Sequence, residues 1–175
     1  MVDIRPSPWN RNPNGGVEMS EILSLDLGRS TGWCLYDSDA PIELESGTFT
    51  VPLERGESKG MMFLRWRRWL TGMIKTEAPE LVVYEMPHCR GGAATDTLVG
   101  MSTRIMEVCE RFGVQYTPVH SATLKKFATG TGRGDKLDMI RAAQNRRPNY
   151  KFIDDNEADV YLLALYAREN ILGEK

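Results

Sequence analysis

The segment "APELVVYEMP" constrains the fold more than any other stretch of the chain. Leu81 to Met86 is a short, strongly apolar run fenced by Pro79 and Pro87, and proline interrupts both helices and sheet ladders. A strand's period of two puts Leu81, Val83 and Glu85 on one face and Val82, Tyr84 and Met86 on the other. Both faces are apolar, so both need cover, and this strand belongs inside a layered domain. Glu85 is the exception. A carboxylate on such a strand is costly unless something pairs with it.

The surrounding sequence supplies the layers. "EILSLDLG", "TGWCLYDS" and "IELESGTFTV" read as three strands separated by short turn signals, hence hairpin-linked and antiparallel. A helix is predicted over about Glu57 to Thr76, where Met62, Trp66, Trp69 and Met73 recur at helical spacing. That spacing makes Trp66 and Trp69 core residues rather than platforms for stacking bases. After the Leu81–Met86 strand come "HCRGGAAT", a helix from about Asp96 to Phe112, and the short strand "VQYTPVH". A short helix "SATLKKFATG" with Ser121 as N-cap leads through "TGRG" to a helix opened by Asp135. The last helix begins at "DDNEADVYLL", with Asp154 and Glu157 spaced as a capping box. The order implies an α/β domain with a mixed sheet.

The 175 residues suit one domain, expected over 20–175. Residues 1–19 hold three prolines, three asparagines and two glycines without periodicity and read as a flexible arm. The longest apolar run, Val160 to Ala167, is far below the roughly 20 residues a spanning helix needs. Cys34, Cys89 and Cys109 are odd in number and widely spaced, which fits a reducing cytoplasmic setting and no zinc site.

Three acids stand out. Asp26 lies within the first strand, Glu85 near the end of the buried strand, and Asp159 one turn into the last helix. Asp155 and Asn156 precede Asp159 by four and three residues, so either can share its face. Converging carboxylates repel one another, and a divalent cation such as Mg²⁺ relieves this with oxygen ligands. Two such ions roughly 3.5–4 Å apart promote phosphodiester hydrolysis. Basic charge is also clustered. His120 to Lys151 holds eight Lys and Arg against two Asp, although the chain's net charge is −2, and "RWRR" occupies 65–68. Such clusters are either a footprint for phosphate or a solvated helix face.

The segments "LSLDLGRSTGW", "VVYEMPHCRGGAAT", "LKKFATGTGRGDK" and "DDNEADVYLLALYA", in this order, resemble the RuvC family of Holliday-junction resolvases, and its bacteriophage members in particular. The resemblance implies an RNase H-like five-stranded mixed sheet, its first three strands antiparallel, flanked by helices. It implies hydrolysis of branched DNA, such as a four-way junction, with Mg²⁺ or Mn²⁺, by a homodimer. Carried over, the ligands are Asp26, Glu85, Asp159 and either Asp155 or Asn156. The Asn is a departure, because many members have Asp or His there. The basic segment maps to Lys125, Lys126, Arg133 and Lys136, and Arg90 is a further candidate phosphate contact. The aromatic that some members place just after the central glutamate is missing, and His88 and Arg90 stand in that loop instead. A same-fold nuclease for RNA–DNA hybrids or flaps, and a junction-binding protein without catalysis, are the rival readings. An actin-like ATPase is set aside, because "DLGRSTG" lacks a second phosphate loop and the chain is too short.

Overall fold

A computed structural model describes residues 21–37, 45–88 and 91–173. The expected N-terminal arm lies outside the described residues, and so do Cys89 and Arg90. The first strand β1 (Glu21–Asp26) turns into β2 (Ser30–Asp37), and β3 (Glu45–Thr50) follows. Then come α1 (Lys59–Glu77), β4 (Leu81–Glu85), α2 (Ala93–Phe112) and β5 (Gln115–Val119). Three helices complete the order, α3 (Ser121–Thr129), α4 (Lys136–Arg146) and α5 (Asp155–Ala167), and α5 runs on into a π-helical turn at Arg168–Leu172.

The five strands lie in the order β3-β2-β1-β4-β5. The β1–β2 and β2–β3 pairs are antiparallel, while β1–β4 and β4–β5 are parallel. This is the mixed sheet expected from the sequence. The central pair β1 and β4 is apolar on both sides because both sides are covered. Leu23, Leu25, Val82 and Tyr84 pack with Trp66, Leu70, Met101 and Ile105 of α1 and α2. Ile22, Leu81 and Val83 face the opposite way, into α5. Trp66 is fully buried and its indole N–H donates to Thr31 Oγ1 at 2.8 Å. Trp69 stacks on Phe49 with centroids 4.6 Å apart. Both tryptophans therefore serve packing, as their spacing predicts.

Two helix starts and one cap differ from the sequence reading. Helix α2 begins at Ala93, one turn before Asp96, with Gly92 as its N-cap at a positive φ of 85° that favours glycine. His120, not Ser121, is the N-cap of α3, and no side chain bonds there. At α5, Asp154 does accept from the Glu157 N–H, but the Glu157 carboxylate bypasses the cap residue and takes the Ile153 N–H at 2.6 Å. The full reciprocal capping box occurs instead at α4, between Asp135 and Asp138. No helix among the described residues is long and apolar enough to cross a membrane.

Candidate active site

The parallel pairing of β1 and β4 ends both strands at the same edge of the sheet. Asp26 is the last residue of β1 and Glu85 the last of β4. Alternation along β1 puts Ile22, Ser24 and Asp26 on the side facing α5, and alternation along β4 does the same for Leu81, Val83 and Glu85. Helix α5 starts over this edge and brings Asp155 and Asp159, one turn apart, to the same place.

Three contacts set that placement. The buried Ser24 hydroxyl donates to the Val160 carbonyl at 2.6 Å, tying α5 to β1 next to both Asp26 and Asp159. Gly32, opposite Asp26 in the β1–β2 ladder, leaves room for the helix. A Cβ there would lie 3.4 Å from Val160 Cγ1 and 3.6 Å from Asp26 Cβ. On the far side of α5, Glu157 accepts from Ser46 Oγ and Tyr150 Oη, each at 2.6 Å, as well as from the Ile153 N–H. These bonds hold the Glu157 carboxyl below its usual range despite partial burial.

The electrostatics record how close the acids are. Asp26 is raised to about 6, first by burial and then by the charges of Glu85 and Asp155, with Lys136 opposing. Asp159 is raised to about 7 by burial, then by the charges of Asp26, Glu85 and Asp155, with Lys125 opposing. Asp155 goes the other way. Lys136 Nζ sits 2.5 Å from its Oδ2 and keeps it low. Asn156 is exposed, and what it presents toward Gly32 is its backbone carbonyl. His88 Nε2 is 3.6 Å from Glu85 Oε1.

Asp159 Oδ1 is buried and has no hydrogen-bond donor. A buried acceptor without a donor is costly, and here it faces three further carboxylates. The donor set is all oxygen, which suits a hard divalent cation. Among the described residues no three acidic, His or Cys side chains are yet drawn into a closed ligand cluster.

The basic residues divide into two groups. Lys125 and Lys136 reach the acids electrostatically, and Lys126, Arg133 and Lys151 are exposed. Arg146 pairs with Glu169 at 2.9 Å and lies over the Phe127 ring, and Arg147 lies over Tyr150. Those two belong to packing rather than to a phosphate footprint. In "RWRR", Arg65 is bound to Glu57 and Arg67 to Glu107, on α1 and away from the acids. Sequence reasoning missed Ser24 and Glu157. A hydroxyl inside the apolar run "ILSLD", in phase with Asp26, was the available signal for the first.

No protein-family profile matches the chain, and no curated protein does. Solved structures do. RuvC of Thermus thermophilus in complex with a Holliday-junction substrate superposes with a TM-score of 0.69 at 15% identity, covering 85% of this chain and 95% of that one. The fowlpox virus resolvase, in complex with substrate Holliday-junction DNA, gives 0.53 at 16%, covering 85% and 98%. The yeast mitochondrial Holliday-junction resolvase Ydc2 gives 0.53 at 12%, covering 83% and 78%. The mixed sheet, its strand order and these superpositions together establish that this chain has the RuvC-like, RNase H-like fold.

Proposed function

We propose that this chain is a divalent-metal-dependent endonuclease that resolves four-way junctions or related branched DNA. One observation carries the reading: on a RuvC-like fold, Asp26 and Glu85 end neighbouring parallel strands, their charges and that of Asp155 act on Asp159 of the last helix, and a buried Asp159 oxygen lacks any donor. Asp26, Glu85, Asp155 and Asp159 would hold the ions, Mg²⁺ by preference with Mn²⁺ as substitute. Asp155 is favoured over Asn156 because its charge acts on both Asp26 and Asp159, while the Asn156 side chain is exposed. A bound pair of ions supplies nucleophile activation and stabilisation of the leaving 3′ oxygen.

The chain's own residues bind and orient the substrate. Lys125 and Lys136 stand beside the acids to receive the scissile phosphate. Lys126, Arg133 and Lys151 extend the positive surface along the neighbouring backbone. Two opposed nicks call for two sites, and an isologous dimer provides them. The exposed Val99 and Met106 on the outer face of α2 offer its interface. Sedimentation of the purified protein tests this, with a dimer expected.

The deciding experiment is incubation of a labelled four-way junction, a flap and an RNA–DNA hybrid with protein and Mg²⁺. Symmetric nicking of the junction is expected, and Asp26→Asn or Glu85→Gln should lower the rate by at least about 10³-fold, about 4 kcal/mol. Undiminished nicking by those variants removes this site from the chemistry. A second reading, junction binding without cleavage, draws on Asn156 and the open ligand cluster. Tight binding with no nicking in Mg²⁺ or Mn²⁺ selects it.

A further inference from the structure

The basic run "RWRR" at 65–68 has no part in the acid cluster, yet it builds a surface of its own. Its tryptophan, Trp66, is buried in the core, and its arginines line the outer side of α1. This helical layer covers the face of the sheet opposite α5. A groove of about 470 Å³ runs between α1 and α2, walled by Met61, Leu64 and Val108 and by Arg67, Arg68 and Arg111. A second groove, of about 510 Å³, lies along the other side of α1, with the stacked pair Phe49 and Trp69 among its walls. Arg65 and Arg68 line both grooves, so they stand on the ridge between them. Leu64 is 54% exposed, which leaves an apolar wall of the first groove in water.

Charge decides what fits. Arg65 is bound to Glu57 and Arg67 to Glu107. Arg68 and Arg111 are exposed, and neither has a carboxylate partner among the described residues. A continuous polyanion suits this face poorly, because Glu57 and Glu107 repel its phosphates and the apolar walls gain nothing from it. A peptide meets both needs. It sets single carboxylates against Arg68 and Arg111 and buries apolar side chains on Met61, Leu64 and Val108. Gly72 of α1 lines the second groove, and a Cβ there would meet nothing within 4 Å. Glycine inside a helix is destabilising relative to alanine, and no contact among the described residues calls for one here. It leaves the helix backbone bare for close approach by a second chain. The groove is also distinct from the α2 stripe of Val99 and Met106. Glu107 and Arg111 lie about a quarter turn further round that helix, on the side that meets Arg67 of α1.

We propose that the outer face of α1, together with the adjoining side of α2, docks an acidic amphipathic segment of a partner protein. Apolar side chains of the segment enter the groove between the two helices, its carboxylates bind Arg68 and Arg111, and its backbone crosses α1 at Gly72. The acid cluster lies on the α5 side of the sheet, so partner and substrate can be held together.

The test is a fluorescence-anisotropy titration of the full chain with a short labelled peptide that carries leucines at helical spacing and glutamates between them. Wild-type protein should bind it, and peptides with glutamine for every glutamate or serine for every leucine should bind on the order of tenfold more weakly. Arg68→Glu combined with Arg111→Glu should lower affinity for the acidic peptide on the order of tenfold or more, since like charges then meet. Both arginines are exposed, so the double variant should melt with the wild type. Gly72→Leu should weaken binding similarly without lowering the melting midpoint, because leucine is the better helix former. Affinity for duplex DNA should be unchanged in both variants. No binding of the acidic peptide by wild type, or equal binding by the double variant, overturns the proposal. Loss of duplex affinity in the double variant with peptide binding intact overturns it in favour of DNA. A double variant that sediments as a smaller species than wild type overturns it in favour of a second copy of this chain.

Discussion

Asp159 is the residue with the most to gain from a bound cation. Its buried oxygen has no donor, and with Asp26 it is held above the ordinary carboxylate value of 3.8. The folded chain therefore binds these protons more tightly than the unfolded chain. The stability that follows is full below about pH 4 and is lost as pH rises through about 6 to 7. Melting in the presence of a chelator should accordingly give a falling midpoint between pH 5 and pH 8. Saturating Mg²⁺ should flatten that slope, because ions that bind only the folded state restore stability. Asp159→Asn should raise the metal-free midpoint at pH 8 by roughly 2–4 °C while abolishing nicking. The candidate acids were legible in the sequence because carboxylates in apolar strands violate an otherwise regular pattern. The choice between Asp155 and Asn156 was not, since both fall on Asp159's side of the helix.

Helix α5 is the element on which the site depends. It meets the sheet through Ser24 and Gly32 on one side and is fixed about its own axis by Glu157 on the other. Ser24→Ala should cost about 1 kcal/mol in urea denaturation, the usual worth of one internal hydrogen bond. Glu157→Ala should cost about 1.5–3 kcal/mol, since three donors lose a charged acceptor. Gly32→Val should cost about 1–3 kcal/mol through overpacking against Val160. Each variant should also weaken Mg²⁺ binding measured by calorimetry, because each lets α5 shift relative to Asp26. The helix itself was readable from its apolar run and its Asp154 cap. Its anchors were not, because Ser46, Tyr150 and Glu157 are up to 111 residues apart and no local pattern links them.

At the scale of the whole molecule, the mixed sheet and its helices were legible in the order of strand and helix patterns. The parallel β1–β4 pairing, which sets Asp26 beside Glu85, was not, because no local pattern links strands that far apart. The charge map was less legible. Eight positive residues in 120–151 look alike in sequence, yet Arg146 and Arg147 are spent on rings while Lys125 and Lys136 attend the acids. Junction affinity should fall steeply with salt, with a slope of about −0.9 per phosphate neutralised. Lys136→Ala should reduce that slope by about one and Arg146→Ala should leave it unchanged, as filter binding across a salt series would reveal.

The bond between Ser24 and Val160 joins residues 136 positions apart. During synthesis the first strand leaves the ribosome well before the last helix, by roughly 7 to 27 seconds at ordinary elongation rates. Throughout that interval the nascent chain carries Asp26 and later Glu85, but not the two acids of α5. A chain cut short before residue 155 lacks Asp155 and Asp159 and cannot bring all four carboxylates together. On the proposed reading, a truncation ending before α5 should therefore show no nicking of a four-way junction, as a gel assay would reveal.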